Sequence, residues 1–166
     1  MDRVKPAPVD LGRGFDGCLG EAMMHWESDG DETPNENGLR TVMGYFLPEW
    51  QRGLVWTREQ KVRLIESCWL GLPIGTYTFN RKWGSKYDNY LIDGQQRLNA
   101  IQCYLSDEFP VFGYKWSETK KIDKRRFRHS VKFGSYICET DDEQYLRNYY
   151  NMMNFGGTAH TEEQRA

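Results

Sequence analysis

Hydrophobic and polar positions follow a helical period between residues 57 and 70. The apolar stripe of this segment consists of Val62, Leu64, Ile65, Cys68 and Trp69. Thr57 and Gln60 have the spacing of a capping box, in which each side chain bonds the backbone of the other. Gly71 follows the stripe and provides a C-terminal stop. These signals predict one helix with a defined beginning and end.

The rest of the pattern predicts strands interspersed with helices. Runs rich in β-branched and aromatic residues predict strands over 40–47, 74–80, 90–93, 109–116 and 131–139, with the second and third paired as a hairpin. Further helices are predicted over 95–106, from a capping box at Thr140 to about Met153, and from another at Thr161, with a short element near 19–26. The mixed order predicts an α+β fold, a small mixed sheet with flanking helices.

Domain organisation follows from length and local composition. A chain of 166 residues is expected to form one domain. Residues 1–38 combine prolines, glycines and an acidic polar stretch, which is typical of a flexible extension. Residues 39–166 are therefore predicted to form the single folded domain.

Composition excludes several classes of protein. The net charge of −2 gives no global attraction to nucleic acid, so any such surface must be a local patch. No apolar run approaches the ~20 residues that span a bilayer, and no signal peptide is evident, so we expect a soluble cytoplasmic protein without membrane partners. The four cysteines and three histidines are scattered, without zinc-ligand spacing.

Candidate chemistry concentrates where the strand over 90–93 meets the following helix. The first turn of a helix has unpaired N–H groups and a partial positive charge, which favour phosphate. Gly94 lets a ligand approach the backbone, and Arg97 matches phosphate oxygens. Asp93 can hold Mg²⁺ or accept a proton, while Gln95 and Gln96 can orient a water or a sugar hydroxyl. An ordinary turn with a solvated arginine is the simpler interpretation.

Four motifs in order resemble one known family. Residues 92–98 resemble the Asp-Gly-Gln-Gln-Arg signature of the N-terminal domains of GmrSD-type restriction endonucleases, a branch of the ParB/sulfiredoxin-like fold. Residues 48–56 resemble its upstream P-x-Y-Q-R-x-x-x-W element, with Trp50 in place of tyrosine. Residues 65–75 and 153–158 are similar to its helix–Gly–Pro–strand stretch and its N-x-G-G-T segment.

This resemblance implies NTP binding and hydrolysis at the signature turn, with Mg²⁺. The implied catalytic residues are Asp93, Gln96 and Arg97, with Asp93 as the Mg²⁺ ligand. The implied nucleotide- and phosphate-binding residues are Gln51, Arg52, Gly94, Gln95, Asn154 and Thr158. Larger family members carry a His-Asn-His nuclease domain that this sequence lacks, so we expect no autonomous cleavage by that chemistry.

A basic segment follows the signature helix. Its candidate nucleic-acid contacts are Lys120, Lys121, Lys124, Arg125, Arg126 and Arg128. Interleaved Trp116, Phe127 and Phe133 would stack on bases if exposed. Alternatively, the segment is a solvated polar connection between two strands, with these aromatic side chains turned inward.

Three functions remain open. The first is an NTPase linked to DNA restriction or phage–host conflict, in the host cytoplasm if the gene is phage-encoded. The second is a ParB-like kinase that transfers phosphate to a small molecule or a modified DNA base. The third is a non-catalytic DNA-binding or sensing module. The expected partners are a nucleotide, DNA, and a second protein chain or a second copy of this one.

Overall fold

The computed structural model describes residues 7–29 and 38–155. The strands are β1 (Arg13–Phe15), β2 (Thr41–Val42), β3 (Tyr45–Phe46), β4 (Thr76–Asn80), β5 (Leu91–Asp93) and β6 (Gly134–Cys138). The α-helices are α1 (Leu19–Asp29), α2 (Arg58–Trp69), α3 (Gln95–Leu105), α4 (Lys121–Ser130) and α5 (Glu143–Phe155), with a 3₁₀ turn at Trp116–Glu118.

Four strands form the central sheet in the order β1-β6-β4-β5. The β4 and β6 strands are parallel, whereas β1–β6 and β4–β5 are antiparallel. A separate two-stranded hairpin joins β2 to β3. The sheet is therefore mixed and flanked by helices, which confirms the predicted α+β fold. The ParB/sulfiredoxin-like relationship stays a prediction.

Several local predictions are confirmed. The Thr57 side chain accepts from the Gln60 backbone N–H while the Gln60 side chain accepts from the Thr57 N–H, so α2 begins with the predicted capping box. The β4 and β5 strands pair as the predicted hairpin. Helix α3 buries Leu98 and Ile101 completely. These elements depend on short-range signals that the sequence carries locally.

The aromatic side chains mostly form the core. Tyr77, on β4, stacks on Phe133 with ring centroids 4.7 Å apart, and Tyr104, on α3, lies 5.8 Å from Phe127 of α4. On the other side of the sheet, α5 packs Leu146, Tyr149 and Tyr150 against β5. The high aromatic content is thus explained first by packing.

The prediction of a flexible extension over residues 1–38 is wrong for the segments that the structure describes. The β1 strand pairs with β6, and α1 buries Leu19 and Ala22 in the core. Helix α1 also packs closely on α4, because a Cβ at Gly20 would lie 2.9 Å from the Arg128 carbonyl oxygen. Helix α1 corresponds to the short element predicted near 19–26, whereas polar composition hid β1, whose partner strand lies more than a hundred residues away.

Two predicted strands are also corrected. Residues 40–47 do not form one strand, because Met43 and Gly44, both at positive φ, turn the chain between β2 and β3. Residues 109–116 do not form a strand, because Phe112 and Gly113 turn the chain at positive φ. Only an isolated bridge between Val111 and Tyr114 remains there.

Two predictions near the C-terminal half change as well. The basic segment, interpreted as a polar connection, forms the 3₁₀ turn and α4, which Phe127 anchors in the core. Helix α5 is capped by Asp142 rather than Thr140, because the Asp142 carboxylate accepts from the Gln144 and Tyr145 N–H groups. The predicted capping box at Thr161 lies outside the described residues.

In the part of the chain that the structure describes, no helix is both long enough and apolar enough to cross a membrane.

The position of α1 generates a stability prediction. Leu19→Ala should lower the free energy of unfolding by about 2–5 kcal/mol, because it leaves a cavity in the core. The measurement is urea denaturation. Met24→Ala is the matched control on the same helix, since Met24 is 59% exposed and should change stability little. Equal, negligible effects of both variants would mean that α1 is not part of the folded core.

Candidate functional site

The junction between β5 and α3 is built on a glycine that the backbone requires. Gly94 has φ = 103° and occupies the N-cap of α3, so the helix begins without a side-chain cap. A Cβ at this position would lie 2.7 Å from the Tyr77 Cβ on β4. Glycine is therefore needed both for the left-handed conformation and for packing against β4. The turn is held rigidly against the sheet.

Three glutamine side chains fasten residues 51–56 to this junction. The Gln51 amide is buried and donates to the Leu91 carbonyl of β5. Gln96 donates to the Gly53 carbonyl at 3.0 Å, and its oxygen accepts from the Val55 and Trp56 N–H groups at 3.1 and 3.2 Å. We call these contacts, together with the hydrogen bond from the Gln95 side chain to the Arg52 carbonyl, the glutamine clamp. The structure thus brings residues 51 and 52 against the signature turn.

Gln95 has one polar atom left over. Its amide nitrogen donates to the Arg52 carbonyl at 2.9 Å, and the side chain is 93% buried, being 7% exposed. Its Oε1 is a buried acceptor without a hydrogen-bond partner within the described residues. Buried acceptors are normally paired, so this atom marks a place where a donor from a ligand or water is expected.

Contacts within the protein already use part of the hydrogen-bonding capacity of Arg97. One guanidinium nitrogen donates to the Ile74 carbonyl at 2.9 Å, and another lies 3.4 Å from the Asp93 carboxylate. The guanidinium also lies over the Phe133 ring, 5.8 Å from its centroid. The long distance to Asp93 leaves the pair weakly bonded, so the arginine retains hydrogen-bonding capacity for an anion.

Burial dominates the protonation of this pair. It raises the pKa of Asp93, against the opposing effects of Arg97 and of the Gly94 N–H. Burial likewise lowers the pKa of Arg97, against the attraction of Asp93. Both shifts disfavour charge, so the carboxylate and guanidinium only partly compensate for lost hydration.

Arg52, in the segment that crosses the turn, and Asn154, on α5, both contact Tyr150 of α5. The Arg52 side chain is exposed, while its backbone N–H donates to the Tyr150 hydroxyl at 3.1 Å. The Asn154 amide donates to the Tyr150 carbonyl at 2.8 Å, in the last turn of α5. Thr158, predicted to help close the site, lies outside the described residues.

Sequence reasoning missed Tyr149 and Tyr150 as supports of the site. Tyr150 holds Arg52, and the Tyr149 hydroxyl is 3.1 Å from Thr78, which pairs in register with Asp93. Both tyrosines are almost fully buried. Their spacing from Leu146 on one helical face, at three and four residues, is the signal that predicts burial against β5.

The predicted nucleic-acid contacts gather on one helix, away from the signature turn. They lie on α4 or directly before it, at Lys120, Lys121, Lys124, Arg125, Arg126 and Arg128. Two of them already have partners. Arg128 forms a double hydrogen bond with Glu27, and the Lys124 ammonium lies 5.4 Å from the centroid of the Trp116 ring.

The aromatic residues predicted to interleave with these cations face the core. Phe127 is 1% exposed and Phe133 is completely buried, while Trp116 packs against Phe127 and Trp69. Of the two interpretations of this segment, the structure therefore supports the one in which these aromatic side chains turn inward.

Comparison with known proteins gives one positive result. The family model described as the GmrSD restriction endonuclease, N-terminal domain, matches residues 34–165 of the 166-residue chain. No curated protein matches the chain, and no solved structure does.

The glutamine clamp generates a prediction about Gln96. Gln96→Ala removes three hydrogen bonds and leaves the Val55 and Trp56 N–H groups without their acceptor, so we expect about 2–3 kcal/mol of destabilisation. Amide hydrogen exchange at Val55 and Trp56 should accelerate selectively. Gln144→Ala, at an exposed position, is the control. Unchanged exchange at residues 53–56 would show that Gln96 does not hold this segment.

Burial of Asp93 generates a pH prediction. Its folded pKa lies above the unfolded value of about 3.9, so its contribution to stability is largest at low pH and declines as pH rises through the folded pKa. Asp93→Asn stays uncharged. The free energy of unfolding of the variant minus that of the parent should therefore increase with pH above ~3.9.

Urea denaturation across pH tests this. Asp107→Asn is the control of opposite sign, because the Ser117 hydrogen bonds lower the pKa of Asp107. That variant should lose stability relative to the parent as pH rises. A difference for Asp93→Asn that is constant with pH would contradict the shift.

Proposed function

This chain belongs to the family of GmrSD restriction endonuclease N-terminal domains, which associates it with DNA restriction, and we propose that it binds and hydrolyses a nucleoside triphosphate at the β5–α3 turn. The observation that carries the proposal is the buried Oε1 of Gln95, at the first position of α3 and beside Arg52, which has no hydrogen-bond partner in the described part of the chain.

The start of α3 supports phosphate binding. Gly94 supplies no side-chain cap, so the first N–H groups of α3 are not satisfied in the usual way. These donors and the positive end of the helix dipole favour an anion. A phosphate would take the place that a serine or aspartate side chain takes at an ordinary N-cap.

Two arginines supply positive charge from opposite sides. Arg97 lies on the first turn of α3 with spare hydrogen-bonding capacity, and the glutamine clamp fixes the backbone of Arg52 next to Gln95. The exposed Arg52 side chain is free to fold over a bound phosphate. Because Arg97 also bonds the Ile74 carbonyl, Arg52 is the arginine whose replacement disturbs the fold less.

In the nucleotide complex, the Gln95 side chain would accept a hydrogen bond. Its Oε1 needs a donor, and the hydroxyl groups of a ribose, or a water bridging to the nucleotide, provide one. The ionised oxygens of a bound triphosphate only accept, so the donor to this atom would come from the ribose or from the bridging water.

Asp93 is the proposed base. In hydrolysis the water oxygen attacks the γ-phosphorus, the bond to the β–γ bridging oxygen breaks, and the proton of the water passes to the Asp93 carboxylate. A raised pKa makes this carboxylate a stronger proton acceptor. The described residues contain no cluster of three or more potential metal ligands, so Mg²⁺ would be held by the substrate phosphates, and Asp93 is left to accept the proton.

A nucleotide panel tests the proposal. With Mg²⁺ present, at least one NTP should raise the melting temperature and release inorganic phosphate, with a smaller thermal shift from phosphate alone. Arg52→Gln should weaken apparent NTP affinity about tenfold, the loss expected for a charge-assisted hydrogen bond of ~1.5 kcal/mol. Arg40→Gln, which removes an exposed arginine elsewhere, is the matched control.

The outcomes separate the alternatives. Label from γ-labelled NTP found on DNA or on a small molecule would favour the kinase, in which an acceptor hydroxyl replaces the water. Thermal stabilisation without phosphate release would reduce the proposal to binding. If no NTP changes the melting temperature or loses phosphate, the proposed function is wrong.

A further inference from the structure

A groove of about 500 Å³ lies between α3 and the start of α4, away from the signature turn. Its walls are the rings of Trp69, Tyr104, Phe112 and Tyr114, and it is bordered by Glu118, Lys120 and Asp123. It is called the aromatic groove. Tyr104 is completely buried, so it forms the floor, whereas Phe112 and Tyr114 form an exposed edge.

The exposed edge is presented by a strained turn. Val111 and Tyr114 bond each other through both backbone groups, at 2.9 and 3.1 Å, so the two residues between them form the tip. Phe112 has φ = 50° and is 57% exposed, and Tyr114 is 61% exposed. A bulky residue in the left-handed region is a rare, strained arrangement. Here it keeps an aromatic ring at the surface.

The groove borders a helix rich in unpaired cations. Between residues 115 and 128 the sequence has seven cations and only two anions, Glu118 and Asp123. Lys124 and Arg128 already have partners. Lys121, Arg125 and Arg126 are exposed, with no ion pair to another described residue.

The helical spacing of α4 connects these cations to the groove. Asp123 borders the groove, and Arg126 follows it by three residues, so their side chains are neighbours on one face. Ile122, Arg125, Arg126 and His129 line a second depression, on the exposed side of α4. Arg125 and Arg126 form what we call the cationic face of α4. A negatively charged polymer bound along this face can therefore extend into the aromatic groove.

We propose that the aromatic groove and the cationic face of α4 together bind single-stranded nucleic acid. Bases stack on Phe112 and Tyr114, and the phosphates of the same strand contact Arg125 and Arg126. The Asp123 carboxylate accepts from an exocyclic amino group of a base in the groove. The phosphates of a duplex can bind the cations, but its bases are already stacked on one another and cannot stack on Phe112 and Tyr114. The proposal does not depend on nucleotide hydrolysis at the β5–α3 turn.

Fluorescence anisotropy tests the base contacts. The probes are a labelled single strand of about 12 nucleotides and the same sequence as a duplex, at low salt and without NTP. The parent protein should prefer the single strand. Phe112→Ala and Tyr114→Ala should each weaken single-strand binding about tenfold and leave duplex binding nearly unchanged. Trp83→Ala, which removes a 95% exposed ring outside the groove, is the matched control.

Salt dependence tests the phosphate contacts. The double variant Arg125→Gln and Arg126→Gln should reduce the slope of log affinity against log salt by about 1.4, since each phosphate contact on a single strand contributes about 0.7. Arg40→Gln combined with Lys82→Gln removes the same charge elsewhere and should leave the slope unchanged. Circular dichroism of each variant checks that it is folded.

Three results would overturn the proposal. The first is no binding of either probe at low salt. The second is binding of single strand and duplex that both aromatic variants leave unchanged, which would make α4 a duplex-contacting face without base stacking. The third is a slope that the arginine and control variants lower equally.

Discussion

The candidate site depends on the need to satisfy the backbone polar groups of a segment that belongs to no strand or helix. Residues 51–56 cross the end of β5 and the start of α3, and the three glutamine side chains that bond this segment there are buried. Gln51, Gln95 and Gln96 supply the missing partners, with amides that both donate and accept. An apolar side chain could cover this surface but could not bond the peptide groups. The amide chemistry of the signature is thus required before any ligand is considered.

Burial also sets the electrostatics of the turn. Asp93 and Arg97 lose hydration where β5 meets α3, and their contact at 3.4 Å only partly compensates. A multiply charged anion would give Arg97 a closer partner than Asp93 does, and a proton or cation would relieve the carboxylate. Occupation of the turn is therefore favoured by the cost of leaving the pair buried and loosely bonded.

Local signals predicted the parts of the fold that are local. The Thr57 capping box, the β4–β5 hairpin and the glycine turn at Gly94 follow from neighbouring residues. The β1 strand was missed because its partner is β6, and the turn at Phe112 was missed because aromatic, β-branched runs are typical of strands. The positions of the signature residues could be predicted, but their individual roles could not. A glutamine that binds a ligand and a glutamine that holds a loop look alike in sequence.

The hydrogen bonds that each side chain already makes limit which of them can take part in catalysis. Both polar atoms of Gln96 are bonded to residues 53–56, so its predicted catalytic role would require breaking bonds that hold the site together. Groups with capacity left are better placed to meet a ligand: Gln95 Oε1, the Arg52 side chain and the Asp93 carboxylate. The same reasoning distinguishes Arg125 and Arg126 on α4 from Arg128, which Glu27 already binds. In both places the side chains that the fold leaves unsatisfied, rather than the motif as a whole, indicate where we propose that a ligand binds.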